Sequence, residues 1–528
     1  MSASEALPAS RGLEALPGER NVSPRRILFA LAVLCACSSR RPGTTSSDAG
    51  VPASVDPSTS VLEHHNGPRR NGLYVDPSLT RAAAASFHPD PTFQAAVPGS
   101  IFGQLLYAAD GAGNADLVIA VTEENDVAAF AAASGATVWS VNLGPPVPLS
   151  ELPCGDIDPL GITGTPVLDP ATRTLYLDAM TTPDGGRTLK HLVFALSLDD
   201  GSTRPGWPVD VGARASFGGT AFTPAVQNQR GALALVGGTL YVPYGGHYGD
   251  CGDYHGWVVG VSTSDPSVVK AWATTALAGG VWGPSGVASD GTSFFVTTGN
   301  TMGAGSTWAG GDAVIRLAAG PVFSGQRADY FAPSDWPSLD ANDQDLAGTG
   351  PLLLDLPGAT PSQLLVALGK DGNLYLVDRS ALGGVGGEVA MATVSTSEII
   401  NAAASYTTAL GTYVAFKGDG AECPGSESGD LTAVRIVPGA PPTVTTAWCA
   451  QQGGLGSPMV TTTDGQSESI VWSVGAEGDE RLRGFDGDTG QVLYASGSLG
   501  SVRRYVTPIL AMGRLFVPVA GGVKAFTR

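Results

Sequence analysis

Three aspartates within six residues form the group in this sequence that is best suited to chemistry. Asp340, Asp343 and Asp345 stand in the run LDANDQDLAG. Carboxylate oxygens are ligands for calcium, and a carboxylate also serves as a general base. The run lacks the sixth-position glycine and the distant glutamate of an EF-hand loop. The sequence therefore leaves two interpretations, a solvated acidic loop and a cation site of another kind.

A second group combines imidazole and thiol side chains. His247, Cys251 and His255 lie within nine residues and offer nitrogen and sulfur ligands of the kind that zinc takes. A cysteine in a disulfide cannot bind zinc, and we expect Cys251 to be oxidised, so zinc is disfavoured. His64 and His65 are adjacent in a polar stretch, and we interpret them as solvated residues.

Charge and composition restrict the class of protein. The chain has 528 residues, with 29 basic and 48 acidic side chains and a formal charge of −19. This acidity argues against nucleic acid as a partner, because such a protein needs a basic face. Hydrophobic residues make up 43% of the chain, charged residues 15%, and there are 72 glycines and 38 prolines. These values exclude a disordered chain and favour a turn-rich all-β fold.

The N-terminus carries the features of an export signal. Arg25 and Arg26 precede an apolar run over residues 27–36, which is too short to span a bilayer but has the length of a secretory signal core. Leu-Cys-Ala-Cys at residues 34–37 resembles a bacterial lipobox, so we predict a signal peptide over residues 1–36 and lipidation of Cys37. An ordinary cleaved signal is the alternative.

Residues 37–72 are rich in serine, threonine, proline and glycine, and this composition predicts a flexible linker. We therefore expect an exported body held at a membrane by its lipid. Ser38 follows the predicted lipidated cysteine, where resembling lipoproteins of the inner membrane often carry aspartate. This difference favours the outer membrane.

Four more cysteines, after Cys37, are expected to pair in an oxidising compartment. Four cysteines allow three sets of two disulfides. Proximity in sequence favours Cys423 with Cys449, which leaves Cys154 with Cys251.

A repeat of 50 to 67 residues determines the predicted architecture. A small or polar residue, usually followed by proline, precedes an apolar strand in eight units, near positions 105, 166, 224, 284, 351, 407, 458 and 508. Alternating apolar residues and frequent turns within each unit predict antiparallel strands. Four strands per unit form a propeller blade, so we predict one eight-bladed β-propeller over residues 73–528. The last unit is short by one strand, and we expect the segment at Leu73–Val75 to supply it.

The repeats also resemble a known motif. AFAAASGATVW at residues 129–139 and GFDGDTGQVLY at residues 484–494 resemble the tryptophan-docking motif of pyrroloquinoline quinone (PQQ) propeller repeats. The resemblance implies that the aromatic residue packs between blades. The family contains quinoprotein alcohol dehydrogenases and non-enzymatic members, including a barrel-assembly lipoprotein of the outer membrane. Fold therefore does not decide function.

The same resemblance implies a set of site residues. Trp282 is similar to the tryptophan that stacks on the quinone, and Asn300 to the asparagine that binds calcium. Lys370 falls where the family has a basic residue against the quinone oxygens. Asp343 and Asp345 lie in the region of the catalytic aspartate, the general base, and Asp343 is also a candidate metal ligand. Without the resemblance, Trp282 predicts packing between blades, and Asn300 and Lys370 predict turns.

Two departures from the family pattern weaken this site. The family's adjacent cysteine pair corresponds to Cys154-Gly155, which has one thiol, and its calcium-binding glutamate aligns with Cys251. No Cys-x-x-Cys-His haem motif is present. We therefore expect no cofactor and predict a binding or scaffold module, for a protein or glycan partner, with a degenerate quinone site. The alternative is an alcohol dehydrogenase dependent on PQQ and calcium. If the quinone site is degenerate, a Cys154–Cys251 disulfide would lie across the former mouth of that site.

Overall fold

The computed structural model describes residues 59–528, which form an eight-bladed, all-β propeller. The predicted signal peptide, Cys37 and the first part of the predicted linker lie outside the described residues. Most blades are four-stranded antiparallel sheets whose first strand is innermost. The fold class predicted from the repeat is confirmed.

The first four blades follow one another along the chain. Blade 1 comprises Leu106–Ala108, Leu117–Val121, Asp126–Ala131 and Thr137–Asn142. Blade 2 comprises Val167–Asp169, Thr174–Thr181, Lys190–Ser197 and Val209–Asp210. Blade 3 comprises Ala234–Val236, Thr239–Tyr244, Trp257–Ser262 and Val269–Ala273. Blade 4 comprises Ala288–Ser289, Phe294–Thr298, Ala313–Leu317 and Tyr330–Ala332, with Gly384–Val385 added in parallel at its edge.

The remaining blades complete the ring. Blade 5 comprises Leu352–Asp355, Gln363–Leu368, Asn373–Asp378 and Ala390–Thr393. Blade 6 comprises Ala404–Thr408, Gly411–Lys417, Leu431–Val437 and Thr443–Ala450. Blade 7 comprises Met459–Thr462, Ile470–Val474, Arg481–Asp486 and Val492–Ser498. Blade 8 comprises Ile509–Ala511, Arg514–Val519 and Gly522–Thr527, and three short α-helices lie outside the blades at Arg81–Ala84, Val211–Arg214 and Trp336–Asn342.

The ring closes through a segment other than the predicted one. His88–Pro89 pairs antiparallel with Gly522–Thr527 and provides the outer strand of blade 8, and Ala95–Ala96 pairs with the same strand. Leu73–Val75 instead runs parallel to Met459–Thr462, the innermost strand of blade 7. The prediction for Leu73–Val75 was wrong. The last unit of the chain leaves the outer edge of blade 8 to be filled, and Leu73–Val75 lies inside the ring, where it cannot reach that edge.

Tryptophans pack between neighbouring blades, as the resemblance implied. Trp139 of blade 1 donates its indole N–H to the Leu198 carbonyl beside blade 2, at 2.8 Å. It also lies against Gly201, where a Cβ atom would come within 2.7 Å of the indole. Trp448 of blade 6 repeats this arrangement on Gly490 of blade 7. Glycine is needed at both turns, since each also has a positive φ angle.

Residues 60–72 lie inside the ring, and we call them the channel segment. Its backbone forms hydrogen bonds with the innermost strands of six blades, through the pairs Val61–Tyr107, Leu62–Leu168, Pro68–Ser289, Arg69–Leu353, Asn71–Ser405 and Gly72–Val460. His64, His65 and Arg70 are at most 2% exposed. The two histidines, which we expected to be solvated, are therefore buried. Their rings stack on each other, with centroids 4.3 Å apart.

No helix in residues 59–528 is long and apolar enough to cross a membrane.

Candidate functional site

The candidate site lies at the face of the ring where the innermost strands begin, which we call the top face. Trp282 precedes the innermost strand of blade 4, and Asn300 follows the second strand of that blade. Asp343 and Asp345 precede the innermost strand of blade 5, and Lys370 follows its second strand. Because the first two strands of a blade are antiparallel, one begins where the next ends. The fold therefore brings these five residues together.

Lys370 is the centre of the cluster. Its Nζ atom lies 2.6 Å from Asp345 Oδ2 and 3.0 Å from Asp343 Oδ1. The same ammonium lies 5.6 Å from the ring centroid of Trp282, within the range of a cation–π contact. The lysine thus forms ion pairs with both candidate aspartates and also lies over the candidate stacking tryptophan.

Asn300 is held by both of its neighbouring carboxylates. Its backbone N–H donates to Asp345 Oδ1 at 2.8 Å, and its side-chain Nδ2 donates to Asp343 Oδ1 at 2.9 Å. Its own Oδ1 atom is buried without a hydrogen-bond partner. Gly299 allows this approach, since a Cβ atom there would lie 2.0 Å from Asp345 Oδ1. Asp340 accepts from the Thr301 N–H at 2.7 Å and lies next to the cluster.

Burial and charge shift the protonation equilibria of this cluster. Burial raises the pKa of Asp345 above its ordinary value, although the Lys370 ammonium opposes the shift. Burial disfavours the charge of Lys370, but the attraction of Asp345 and Asp343 outweighs it and raises the lysine pKa. Asp312, which is fully buried nearby, has its pKa raised to about 10 by burial and by the charge of Asp345. At neutral pH Asp312 is therefore protonated.

The carboxylates of the cluster are bonded to other groups of this chain. Calcium takes six to eight oxygen ligands. Both Asp345 oxygens are already bonded, one by the Asn300 N–H and one by Lys370, and Lys370 and Asn300 share Asp343 Oδ1. In residues 59–528 no group of three or more histidine, cysteine, aspartate or glutamate side chains could hold a metal. The Lys370 ammonium already provides a positive charge at this position.

Both predicted disulfides are present. Cys154 is bonded to Cys251, and Cys423 is bonded to Cys449. The loop over residues 245–256 carries Cys251 and also contacts Trp282, since a Cβ atom on Gly245 would lie 3.0 Å from the tryptophan Cβ. The disulfide therefore holds this loop close to the candidate site.

Two residues of the site were missed by the sequence analysis. Asp312 lies beside Asp345, and Tyr254, whose hydroxyl donates to Asp250 at 2.5 Å, is close enough for the charges of Asp345 and Asp343 to act on it. Both residues come from second-to-third-strand loops whose sequences contain no recognisable motif. Their proximity depends on blade geometry, which a local sequence pattern does not carry.

No protein-family model and no curated protein matches this sequence. The fold has clear neighbours among solved structures. A quinohaemoprotein alcohol dehydrogenase from Pseudomonas putida HK5 aligns with a TM-score of 0.62 and 12% identity, over 89% of this chain and 80% of that one. The quinohaemoprotein alcohol dehydrogenase from Comamonas testosteroni aligns with 0.57 and 11%, over the same shares. A europium-containing methanol dehydrogenase aligns with 0.60 and 13%, over 90% and 98%.

These three solved structures are dehydrogenases, and they are similar to this chain in fold. The three identities lie between 11% and 13%, so the likeness shows a shared propeller fold and leaves the activity open.

Proposed function

We propose that this chain is an extracytoplasmic, lipid-anchored β-propeller that binds a protein or glycan partner and whose quinone site is degenerate. The observation that carries the proposal is the position of the Lys370 ammonium, bonded to Asp343 and Asp345. A calcium ion bound by Asp343 and Asp345 would compete with the ammonium for the same oxygens. A catalytic metal needs ligands that are already positioned around its site. In this cluster the candidate ligands are bonded to other groups of the chain instead.

The disulfide supports the same proposal. Cys251 aligns with the calcium-binding glutamate of the resembling family, and its sulfur is bonded to Cys154. A disulfide sulfur does not replace a carboxylate as a ligand for calcium, which is a hard ion that prefers oxygen. The site therefore lacks an anionic ligand in addition to holding an internal cation.

The channel segment enters the ring from the face opposite the top face. The Ser60 hydroxyl accepts from the Ala109 N–H, just after the innermost strand of blade 1 ends, whereas the His65 N–H donates to Gln104, just before that strand begins. The chain thus enters from the face opposite the top face, and Leu73–Val75 returns it in that direction.

Exposed apolar side chains on the top face support partner binding there. Phe217 is 39% exposed on a hairpin inserted between blades 2 and 3, and Tyr248 is 67% exposed on the disulfide-bonded loop. Leu277 and Met302 pair across a small additional sheet and are 36% and 47% exposed. Exposed apolar side chains such as Leu410 and Met512 also lie elsewhere on the described residues, so these four side chains are candidate contacts and are secondary to the Lys370 cluster.

The proposal is tested by titrating the full chain with PQQ plus calcium, and in a second series with PQQ plus europium, while tryptophan fluorescence is recorded. We expect no saturable quenching in the micromolar range. Saturable quenching that is lost in Trp282→Ala would overturn the proposal. Europium luminescence provides a matched control, because Lys370→Met removes the competing ammonium and should increase ion binding at Asp343 and Asp345 over the unmodified chain.

The second candidate is the alcohol dehydrogenase dependent on PQQ and calcium. The observation that favours it is that Trp282, Asn300, Lys370 and the two aspartates do come together, with Asn300 Oδ1 left without a hydrogen-bond partner. In that case Asp343 or Asp345 would be the general base that accepts the alcohol proton. Reduction of an artificial electron acceptor that requires an alcohol, PQQ and calcium together would establish this alternative.

A further inference from the structure

A cavity opens on the top face, on the opposite side of the ring from the Lys370 cluster. Its volume is about 320 Å³. The cavity is formed by the segment before blade 1, the Glu123–Glu124 turn, the connection between blades 1 and 2, the connection that precedes blade 8, and a turn of blade 8. This size suits a small ligand or one long side chain.

Glu123 is the buried acid of this cavity. It is 2% exposed, and its Oε2 atom accepts a hydrogen bond from the Gly161 N–H at 2.7 Å. Its Oε1 atom is buried without a hydrogen bond of good geometry, and the Thr163 hydroxyl, which also lacks one, lies close enough to stabilise the carboxylate. A buried acceptor without a partner carries a free-energy cost. A ligand that donates a hydrogen bond to Oε1 would remove this cost.

The charges around the cavity favour a positive ligand. Glu124, Asp156 and Asp158 line it together with Glu123, and Arg503 is its one basic lining residue. Asp156 is partly neutralised by Arg504, whose guanidinium lies 3.6 Å away outside the lining. The cavity still has an excess of carboxylates.

The apolar part of the wall is also suited to a cation with a hydrocarbon stem. Phe102, Ile157 and Pro159 provide apolar surface. The Arg503 guanidinium lies over one face of the Phe102 ring, 5.7 Å from its centroid, within the range of a cation–π contact. We propose that the cavity binds an ammonium or guanidinium group on a short apolar stem, with Glu123 as its counter-ion. This proposal stands independently of the Lys370 cluster.

The protonation of Glu123 gives the binding a pH dependence. Burial raises the pKa of Glu123 to about 7, while the Gly161 N–H, the Thr163 hydroxyl and the charges of Arg230 and Arg503 oppose the shift. The other charged groups that line the cavity are Glu124, Asp156 and Asp158. A cation binds the ionised carboxylate, whose fraction rises about tenfold between pH 6 and pH 8 for such a pKa. Binding should therefore tighten by about that factor over this range.

The test is isothermal titration calorimetry of the full chain with n-butylammonium chloride. We expect saturable binding of the amine, and none of 1-butanol or sodium butyrate, which have similar shapes but lack the positive charge. A second arm uses Nα-acetyl-lysine amide. If this compound binds, a lysine side chain of a protein is also an acceptable source of the cation. If it does not bind although butylammonium does, the ligand is a free amine.

Two variants complete the design. Glu123→Gln keeps the shape and an acceptor for the Gly161 N–H, and it should weaken amine binding at least tenfold and remove the pH dependence. Glu398→Gln changes an exposed carboxylate on the top face across the ring and should leave binding unchanged. The proposal is overturned if the amine does not bind, if butyrate or butanol binds equally well, or if Glu123→Gln binds the amine as the unmodified chain does. The pH series of the unmodified chain tests Glu123 even if the variant fails to fold.

Discussion

Arg70 holds the channel segment in place and provides a sharp test of its role. The side chain is fully buried, and its guanidinium donates five hydrogen bonds at 2.7–3.0 Å. Two of them reach the Val287 carbonyl and one the Leu233 carbonyl, beside blades 4 and 3. The other two reach the His64 carbonyl and the Glu63 carboxylate within the segment. One side chain thus joins the segment to two blades.

Replacing Arg70 with methionine should destabilise the propeller strongly. The change keeps much of the apolar stem but leaves three carbonyls and the Glu63 carboxylate without their donor. Unpaired buried acceptors cost about 1–3 kcal/mol each, and breaking a buried ion pair by removing one partner costs about 3–5 kcal/mol. Because these costs overlap, we expect the free energy of unfolding to fall by about 4 kcal/mol.

The assay is urea denaturation followed by circular dichroism and tryptophan fluorescence. The adjacent residue provides the control, because the Arg69 side chain is 43% exposed and pairs with Asp355 at the surface. Arg69→Met should change stability by less than about 1 kcal/mol. Equal and small effects of the two substitutions would refute the conclusion that Arg70 secures the channel segment.

Three further outcomes are expected. Although burial lowers the pKa of His191, its contact with Asp178 at 2.7 Å raises it more, so the folded state holds the proton above the ordinary value of 6.5. The stability from this pair is present below pH 6.5 and is lost as the pH rises through the raised pKa. Denaturation midpoints measured against pH should show this loss in the unmodified chain and not in His191→Gln. Cys37→Ala should move the protein from the membrane to the soluble fraction of fractionated cells, and an unchanged distribution would contradict the lipid anchor. Cys423→Ser together with Cys449→Ser should lower the free energy of unfolding by about 3 kcal/mol in denaturant titrations, since the disulfide closes a loop with a sequence separation of 26.

The blades could be predicted from sequence because each unit repeats the same local pattern. The strand cue recurs eight times, and Trp139 of one repeat packs on Gly201, the turn glycine of the next, so a repeated motif carries the contact between blades. Ring closure was harder to predict, since both His88–Pro89 and Leu73–Val75 pair with strands more than 380 residues away. Which segment reaches the outer edge of blade 8 depends on the path of the chain through the channel.

The channel segment was missed for a related reason. Its composition is polar and rich in glycine and proline, which is typical of a linker. It is nevertheless buried because its backbone and the Arg70 side chain find hydrogen-bond partners on the innermost strands. Trp282, Asn300 and Lys370 were identified by resemblance, whereas the burial of Glu123 and its unpaired oxygen could be seen only once neighbouring blades were assembled.

The most direct test of the central claim is a crystal structure of the chain grown with PQQ and calcium. We expect that Lys370 Nζ remains bonded to Asp343 and Asp345 and that neither quinone nor calcium is bound at Trp282 and Asn300. Density for a quinone stacked on Trp282, with calcium on Asn300 and Lys370 moved away from the two carboxylates, would contradict it.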